Sequence, residues 1–181
     1  QLTPNSFYKA VIEKTIAFAE RELRDNCGAF YASIDADSEH EEGKFYVFTK
    51  QEIESVLDEK NCEILLKFYH ITEKGNWEEG KNILHYTVDT YEFAKKNGLT
   101  TVEFEAMLQK VHQQLFAYRS GRIRPTTDDK ILCSWNALMI SGYVNAFKAT
   151  GNPEYKENAL QTSRFISSEL MKAYGSLYRV F

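Results

Sequence analysis

The sequence predicts a mainly α-helical chain built from helical hairpins, with a small antiparallel β-hairpin among its loops. Three observations predict it. Long segments repeat apolar residues at spacings of three and four, as one buried face of a helix requires. One helix is apolar nearly all round and is followed at once by a tight turn and an amphipathic helix, the pattern of an inner and an outer helix in a hairpin. Two decapeptides, ELRDNCGAFY (Glu22–Tyr31) and ELMKAYGSLY (Glu169–Tyr178), share Glu-Leu, four residues, glycine, a small residue, an apolar residue and tyrosine. Each follows a predicted outer helix. A unit of outer helix, glycine turn and extended entry into a long loop builds layered rings of hairpins, with inner helices on the axis and long loops at one mouth. Chance similarity across a glycine turn is the alternative.

Thr3 and Pro4 supply a capping hydroxyl and a first-turn proline for the opening helix. Tyr8, Ile12, Ile16, Ala19 and Leu23 form its stripe, which ends near Asn26 to Gly28. GAFYASI and GKFYVFT are aromatic and β-branched and flank the acidic loop DADSEHEE, which predicts a hairpin with a long tip. Residues 50 to 70 read as one or two helices. A short helix follows over Thr90 to Lys96, stopped by Asn97 and Gly98. Thr100 or Thr101 caps a longer helix with Phe104, Leu108, Val111, Leu115 and Tyr118 on one stripe, ended by the polar loop SGRIRPTTDDK. The helix from Ser134 to Lys148 has so few polar breaks that neighbours are expected on most of its sides. Gly151, Asn152 and Pro153 then turn the chain into an outer helix carrying Tyr155, Ala159, Ile166 and Leu170.

GNWEEGKN (Gly75–Asn82) matches a phosphate-binding loop in two glycines and a lysine. That loop also needs a Ser or Thr after the lysine for magnesium, a strand before it and a helix after it. Asn82 occupies the hydroxyl position, Glu78 and Glu79 would repel phosphate, and ILHYT reads as extended. The nucleotide reading is rejected, and Trp77 is read as an anchor for a glycine-flexed loop. DADSEH fails as a calcium loop, because His40 stands where glycine is required and Tyr46 where a glutamate should close the site.

The 181 residues are 43% hydrophobic, enough to fill a core. A net charge of -4 with no long basic run argues against generic affinity for nucleic acid or anionic membrane. No apolar run approaches the ~20 residues that cross a bilayer, and no signal sequence opens the chain. Cys27, Cys62 and Cys133 form no C-x-x-C pair and no zinc pattern, so reduced thiols, a cytoplasmic setting and no metal or cofactor are expected. The chain starts at Gln1 and is expected to be a piece of a longer polypeptide.

GAFYASIDADSEHEEGKFYVFT, GNWEEGKNILH and RPTTDDKILCSWNALMISGYVNAF together resemble the barrel-like region of the thioredoxin-domain-containing proteins related to spermatogenesis-associated protein. They stand in that family's order and span nearly the whole chain. The resemblance implies a partial (α/α)6 toroid of the six-hairpin glycosidase type, similar to N-acylglucosamine 2-epimerases, with residues 1–181 a single fragment of it. It also implies an upstream thioredoxin-like domain, which no segment here matches.

Sugar chemistry by hydrolysis uses paired carboxylates, and such a mouth offers Asp35, Asp37 and Glu39 from one loop and Asp128 and Asp129 from another. Turn-forming and helix-capping acids are the competing reading of each. Asp37 and Asp129 are the acid/base candidates. His85 joins them because epimerisation removes and returns a proton, although a lone histidine in an aromatic segment is commonly structural. Trp135 and Asn136 suit a sugar ring and its hydroxyls, with Lys130, Arg124, Asp35 and Asp128 as further binding candidates; core packing is the other reading of Trp135. The expected function is a carbohydrate-active or sugar-binding toroid region taking a sugar or other small polar ligand. The alternative is a non-catalytic scaffold attached to a redox domain. An open flank of apolar surface is expected to self-associate.

Overall fold

In a computed structural model of the chain, residues 6–85 and 88–181 are described; the Thr3–Pro4 helix start lies outside them. Among the described residues seven α-helices and six two-residue strands run in the order α1 Ser6–Leu23, β1 Ser33–Ile34, β2 Asp37–Ser38, β3 Glu41–Glu42, β4 Phe48–Thr49, α2 Lys50–Val56, α3 Glu59–Phe68, β5 Lys81–Asn82, α4 Thr90–Lys96, α5 Thr101–Ser120, β6 Thr127–Asp128, α6 Cys133–Thr150 and α7 Pro153–Phe165. The chain is thus mainly helical with small antiparallel strand pairs. It forms two compact units: one holds the chain up to Asp35 together with Thr126–Phe181, the other Ala36–Pro125.

The helix boundaries follow local chemistry. Thr49 and Thr100 each form a capping box with a glutamate three residues on, Glu52 and Glu103, so that side chain and backbone satisfy each other's free N–H groups. Asp58 and Asp89 cap α3 and α4 by accepting backbone N–H bonds. Asn152 caps α7 with Pro153 in its first turn, and the left-handed Gly151 ends α6, which closes the αα-hairpin.

In the unit 36–125, Ile53, Leu65, Phe68, Ala94, Phe104 and Val111 are fully buried in one core shared by α2 to α5. Phe68 meets Phe93 and Phe104 edge-on at centroid separations of 4.9 and 5.0 Å, an arrangement favoured by the ring quadrupoles. His112 stands on α5 within hydrogen-bond reach (2.7 Å) of the Tyr69 hydroxyl.

In the other unit, Ile16 of α1 packs with Tyr143 and Ala146 of α6 and Tyr155 and Ala159 of α7. Across this packing the Glu20 carboxylate accepts from the Tyr143 hydroxyl and the Asn158 amide, both at 2.6 Å, while Arg24 donates to Asn158 and Gln161. Burial and the Glu20 carboxylate push the Tyr143 phenol well above its ordinary pKa. The decapeptide echo is structural. Tyr31 and Tyr178 donate their N–H groups to Leu23 and Leu170, Gly28 and Gly175 donate to Asp25 and Lys172, and the two glycines have φ of 89° and 87°. The same framework residues therefore make the same turn twice.

Two expectations are corrected. GAFYASI and GKFYVFT do not pair with each other: β1 pairs with β6, β4 with β5, and the hairpin is β2–β3 inside the acidic loop itself. The backbone explains this, since Glu39 and His40 both have positive φ (55° and 64°), which is what a two-residue hairpin turn requires. And α6 is not covered on most sides: Trp135 is 51% and Leu138 69% exposed.

Candidate functional site

In the unit 36–125 two of the three motif segments meet around a cavity of about 420 Å³. The β2–β3 hairpin contributes Ser38 and Glu39, the approach to β4 contributes Lys44, β5 contributes Lys81, and the end of α5 contributes Tyr118, followed by Arg122. The hairpin is held by charge: Lys44 pairs with Glu39 at 3.2 Å and Glu41 at 3.7 Å, and Lys81 also pairs with Glu41. Behind it Arg122 acts as a staple. Its guanidinium donates to the carbonyls of Lys44, Phe45 and Val47 at 3.2, 3.1 and 2.7 Å and to Glu52 at 2.9 Å, and it lies 4.6 Å from the Phe48 ring centroid. Glu52 also accepts from the Tyr118 hydroxyl at 3.2 Å, so the end of the α5 stripe serves the cavity wall and not the core.

GNWEEGKN folds back on itself. The N–H groups of Asn76 and Trp77 both donate to the Lys81 carbonyl, so they are not displayed to a phosphate. Gly75 is obligatory, because a Cβ there would sit 2.1 Å from that same carbonyl oxygen. The Trp77 indole lies against Gly43, which ties this loop to the β3–β4 connection. Asn82 is fully buried; its amide donates to the carbonyls of Phe48, Thr72 and Gly80 and its oxygen accepts from the Thr72 N–H.

The sequence candidates are divided between the units. Asp37 is exposed in β2 opposite Glu42. His85 is exposed, its Nδ1 3.2 Å from the Asn76 amide. Arg124 lies over the Phe45 ring at 5.7 Å. In the other unit the β1–β6 pair sets Asp128 opposite Ser33, and Asp35 accepts from the Thr126 hydroxyl at 3.4 Å. Lys130 binds both oxygens of Asp128 at 2.8 and 2.9 Å, holding that carboxyl below its usual pKa. Asp129 is exposed; the Asp25 carboxylate, hydrogen-bonded to the Tyr31 phenol, and the charge of Asp129 raise that phenol's pKa. Trp135 projects into solvent from the first turn of α6. Asn136 does not: it is fully buried, clamping the N–H and C=O of Phe30 at 2.7 and 3.0 Å and the Leu132 carbonyl at 3.0 Å. Its hydrogen-bonding capacity goes to the fold.

Arg122 and Glu52 were not singled out by the sequence reading, and Tyr118 and Asn82 were read only as a stripe residue and as the residue that breaks the phosphate-loop pattern. Arg122 sits in a polar loop like any surface arginine, and its backbone partners lie about 75 positions away. The one usable signal was Asn82, a polar residue opening an otherwise apolar extended run. Among the described residues no group of His, Cys, Asp and Glu side chains is placed to hold a metal ion, and no helix is long and apolar enough to cross a membrane.

Fold and loops together define a mainly helical protein with a polar loop cavity in its unit 36–125. No family model matches the chain. It is 29% identical to spermatogenesis-associated protein 20 of Homo sapiens over 99% of its own length and 26% of that protein's. It is 27% identical to the Mus musculus protein of the same name, over 94% of this chain and 25% of the relative. An uncharacterized protein of Caenorhabditis elegans is 27% identical over 79% of this chain and 23% of its own. These similarities support a relation to spermatogenesis-associated protein 20. The chain spans about a quarter of the length of the curated relatives it matches.

Proposed function

We propose that the chain is a carbohydrate-active or sugar-binding region of a longer cytoplasmic protein, part of an (α/α)6 toroid that follows a thioredoxin-like domain, with an epimerase or glycoside hydrolase reaction. The observation that carries this reading is the 420 Å³ cavity, lined by Glu39, Lys44 and Lys81 from the motif loops, Glu52 of α2 and Tyr118 of α5. Such a lining offers hydroxyl-directed hydrogen bonds beside an apolar ring face. Asp37, Asp129 and His85 remain the acid/base candidates, all three exposed, and Trp135, Lys130, Arg124, Asp35 and Asp128 the binding candidates.

The test is a thermal-shift series of the full-length protein against mono- and oligosaccharides. A ligand of the folded state raises stability by RT ln(1 + [L]/Kd), about 2.7 kcal/mol at one hundred times Kd. The reading expects a concentration-dependent shift lost in Tyr118→Ala, a residue of the cavity wall. A folded protein with no shift from any saccharide would overturn it.

A second reading has its own observation. Arg122, Asn82 and Asn136 spend their polar groups on backbone partners, as in a scaffold whose loops are kept for packing while chemistry lies in the redox domain. Tyr118→Ala would then change stability or nothing.

A further inference from the structure

We propose that the cavity between the ends of α3 and α4 binds a small organic anion with an apolar body, a site separate from the motif loops and independent of the sugar reading. The cavity measures about 740 Å³, within the range of small-molecule sites. Val88 and Phe93 form its apolar floor, and Phe93 is fixed by its contact with Phe68. Around that floor stand Lys67, Lys95 and Lys96 against a single carboxylate, Glu92. In a chain of net charge -4 this is a local reversal of sign, and a cavity with apolar walls and one prevailing charge concentrates the opposite ion. Lys67 also donates to Glu63 at 2.6 Å and Lys95 lies 5.9 Å from the Tyr91 ring, so both heads are held near the helix surface.

Lysines at helix C-termini are favoured by the helix dipole without any ligand, so they do not decide the matter. His70, a further lining residue, does. Helix α3 ends with Ile71 donating its N–H to the Leu66 carbonyl across a left-handed residue; α4 ends the same way, with Leu99 donating to Ala94. In α4 the left-handed residue is Gly98, with φ of 72°, and α6 likewise uses Gly151. In α3 it is His70, with φ of 52°, a conformation that disfavours a residue with a Cβ. The same turn therefore takes glycine in α4 and α6 and, in α3, a residue whose own side chain lines the cavity. Strained backbone of this kind concentrates at ligand-binding positions.

The ligand class follows: an aryl or alkyl phosphate or carboxylate, its apolar part on Phe93 and Val88 and its anion among Lys67, Lys95, Lys96 and His70. The probe is phenyl phosphate, titrated into the full chain and followed by calorimetry and by amide chemical shifts, with benzyl alcohol and inorganic phosphate as controls lacking the charge or the ring. Expected are shifts confined to residues 67–71 and 88–97 and binding at least about tenfold tighter than either control. Lys95→Gln with Lys96→Gln should weaken binding about tenfold with the melting temperature unchanged. His70→Gly should move the two readouts in opposite directions, raising the melting temperature while weakening binding. Equal affinity for benzyl alcohol, shifts elsewhere, or undiminished binding by His70→Gly would overturn the proposal.

Discussion

The two units treat their apolar residues differently. In the unit 36–125 the aromatic core closes: Phe68 and Phe104 are fully buried among α2 to α5. In the unit containing α6, a helix of more apolar composition buries Tyr143 and Ala146 on one side and leaves Trp135, Leu138 and Val144 exposed on another. The difference teaches that apolar composition says how much surface a helix needs covered, and not whether this stretch of chain covers it. The first unit completes its core from its own elements; α6 presents an exposed apolar face.

The largest expected effect probes the closed core. Phe68→Ala should lose about 3–5 kcal/mol of stability, read by urea denaturation; a loss near zero would mean that the core repacks freely. Next comes the staple. Arg122→Ala removes the donor shared by the carbonyls of Lys44, Phe45 and Val47 and the ion pair to Glu52 and should cost roughly 2–3 kcal/mol, whereas exchanging the exposed neighbour Ile123 for Ala should change little. A smaller effect separates adjacent residues on α6. Asn136→Ala should cost roughly 1–3 kcal/mol, since it leaves both polar groups of Phe30 without their clamp. Trp135→Ala should stay within about 0.5 kcal/mol, and Leu138→Glu should abolish any concentration-dependent association in sedimentation without changing the melting temperature.

The smallest effect is electrostatic. Hydrogen bonds from the Cys27 side chain and backbone N–H and from the Tyr31 hydroxyl hold the Asp25 carboxyl below its usual 3.8. A carboxyl depressed on folding stabilises the fold fully above its unfolded pKa, and that contribution is lost as pH falls through the folded value. Asp25→Asn should therefore flatten the stability profile below about pH 4 and leave its shape near neutrality alone. An unchanged acid limb would remove Asp25 from the account.

What could be read from the sequence was local. The capping hydroxyl at Thr100, Asn97 with Gly98, Gly151 with Asn152 and Pro153, and the three-four spacing in α5 each act within a turn or two, so they placed the helices. The decapeptide echo was legible for the same reason, because the glycine and its flanking residues make the turn by themselves. Strand pairing was not: β1 finds β6 more than ninety positions later, and nothing within GAFYASI names that partner. The clamps by Arg122, Asn82 and Asn136 join segments distant in sequence, and a buried asparagine looks the same in a one-dimensional pattern as one aimed at a ligand.

The most direct test of the central claim is an amide chemical-shift titration of the chain with the saccharide that gives the largest thermal shift. The account predicts perturbations clustered at residues 38–49, 81 and 118–123, around the cavity of the motif loops, and their loss in Tyr118→Ala. Saturable binding that perturbs other residues and leaves those amides unmoved would contradict it.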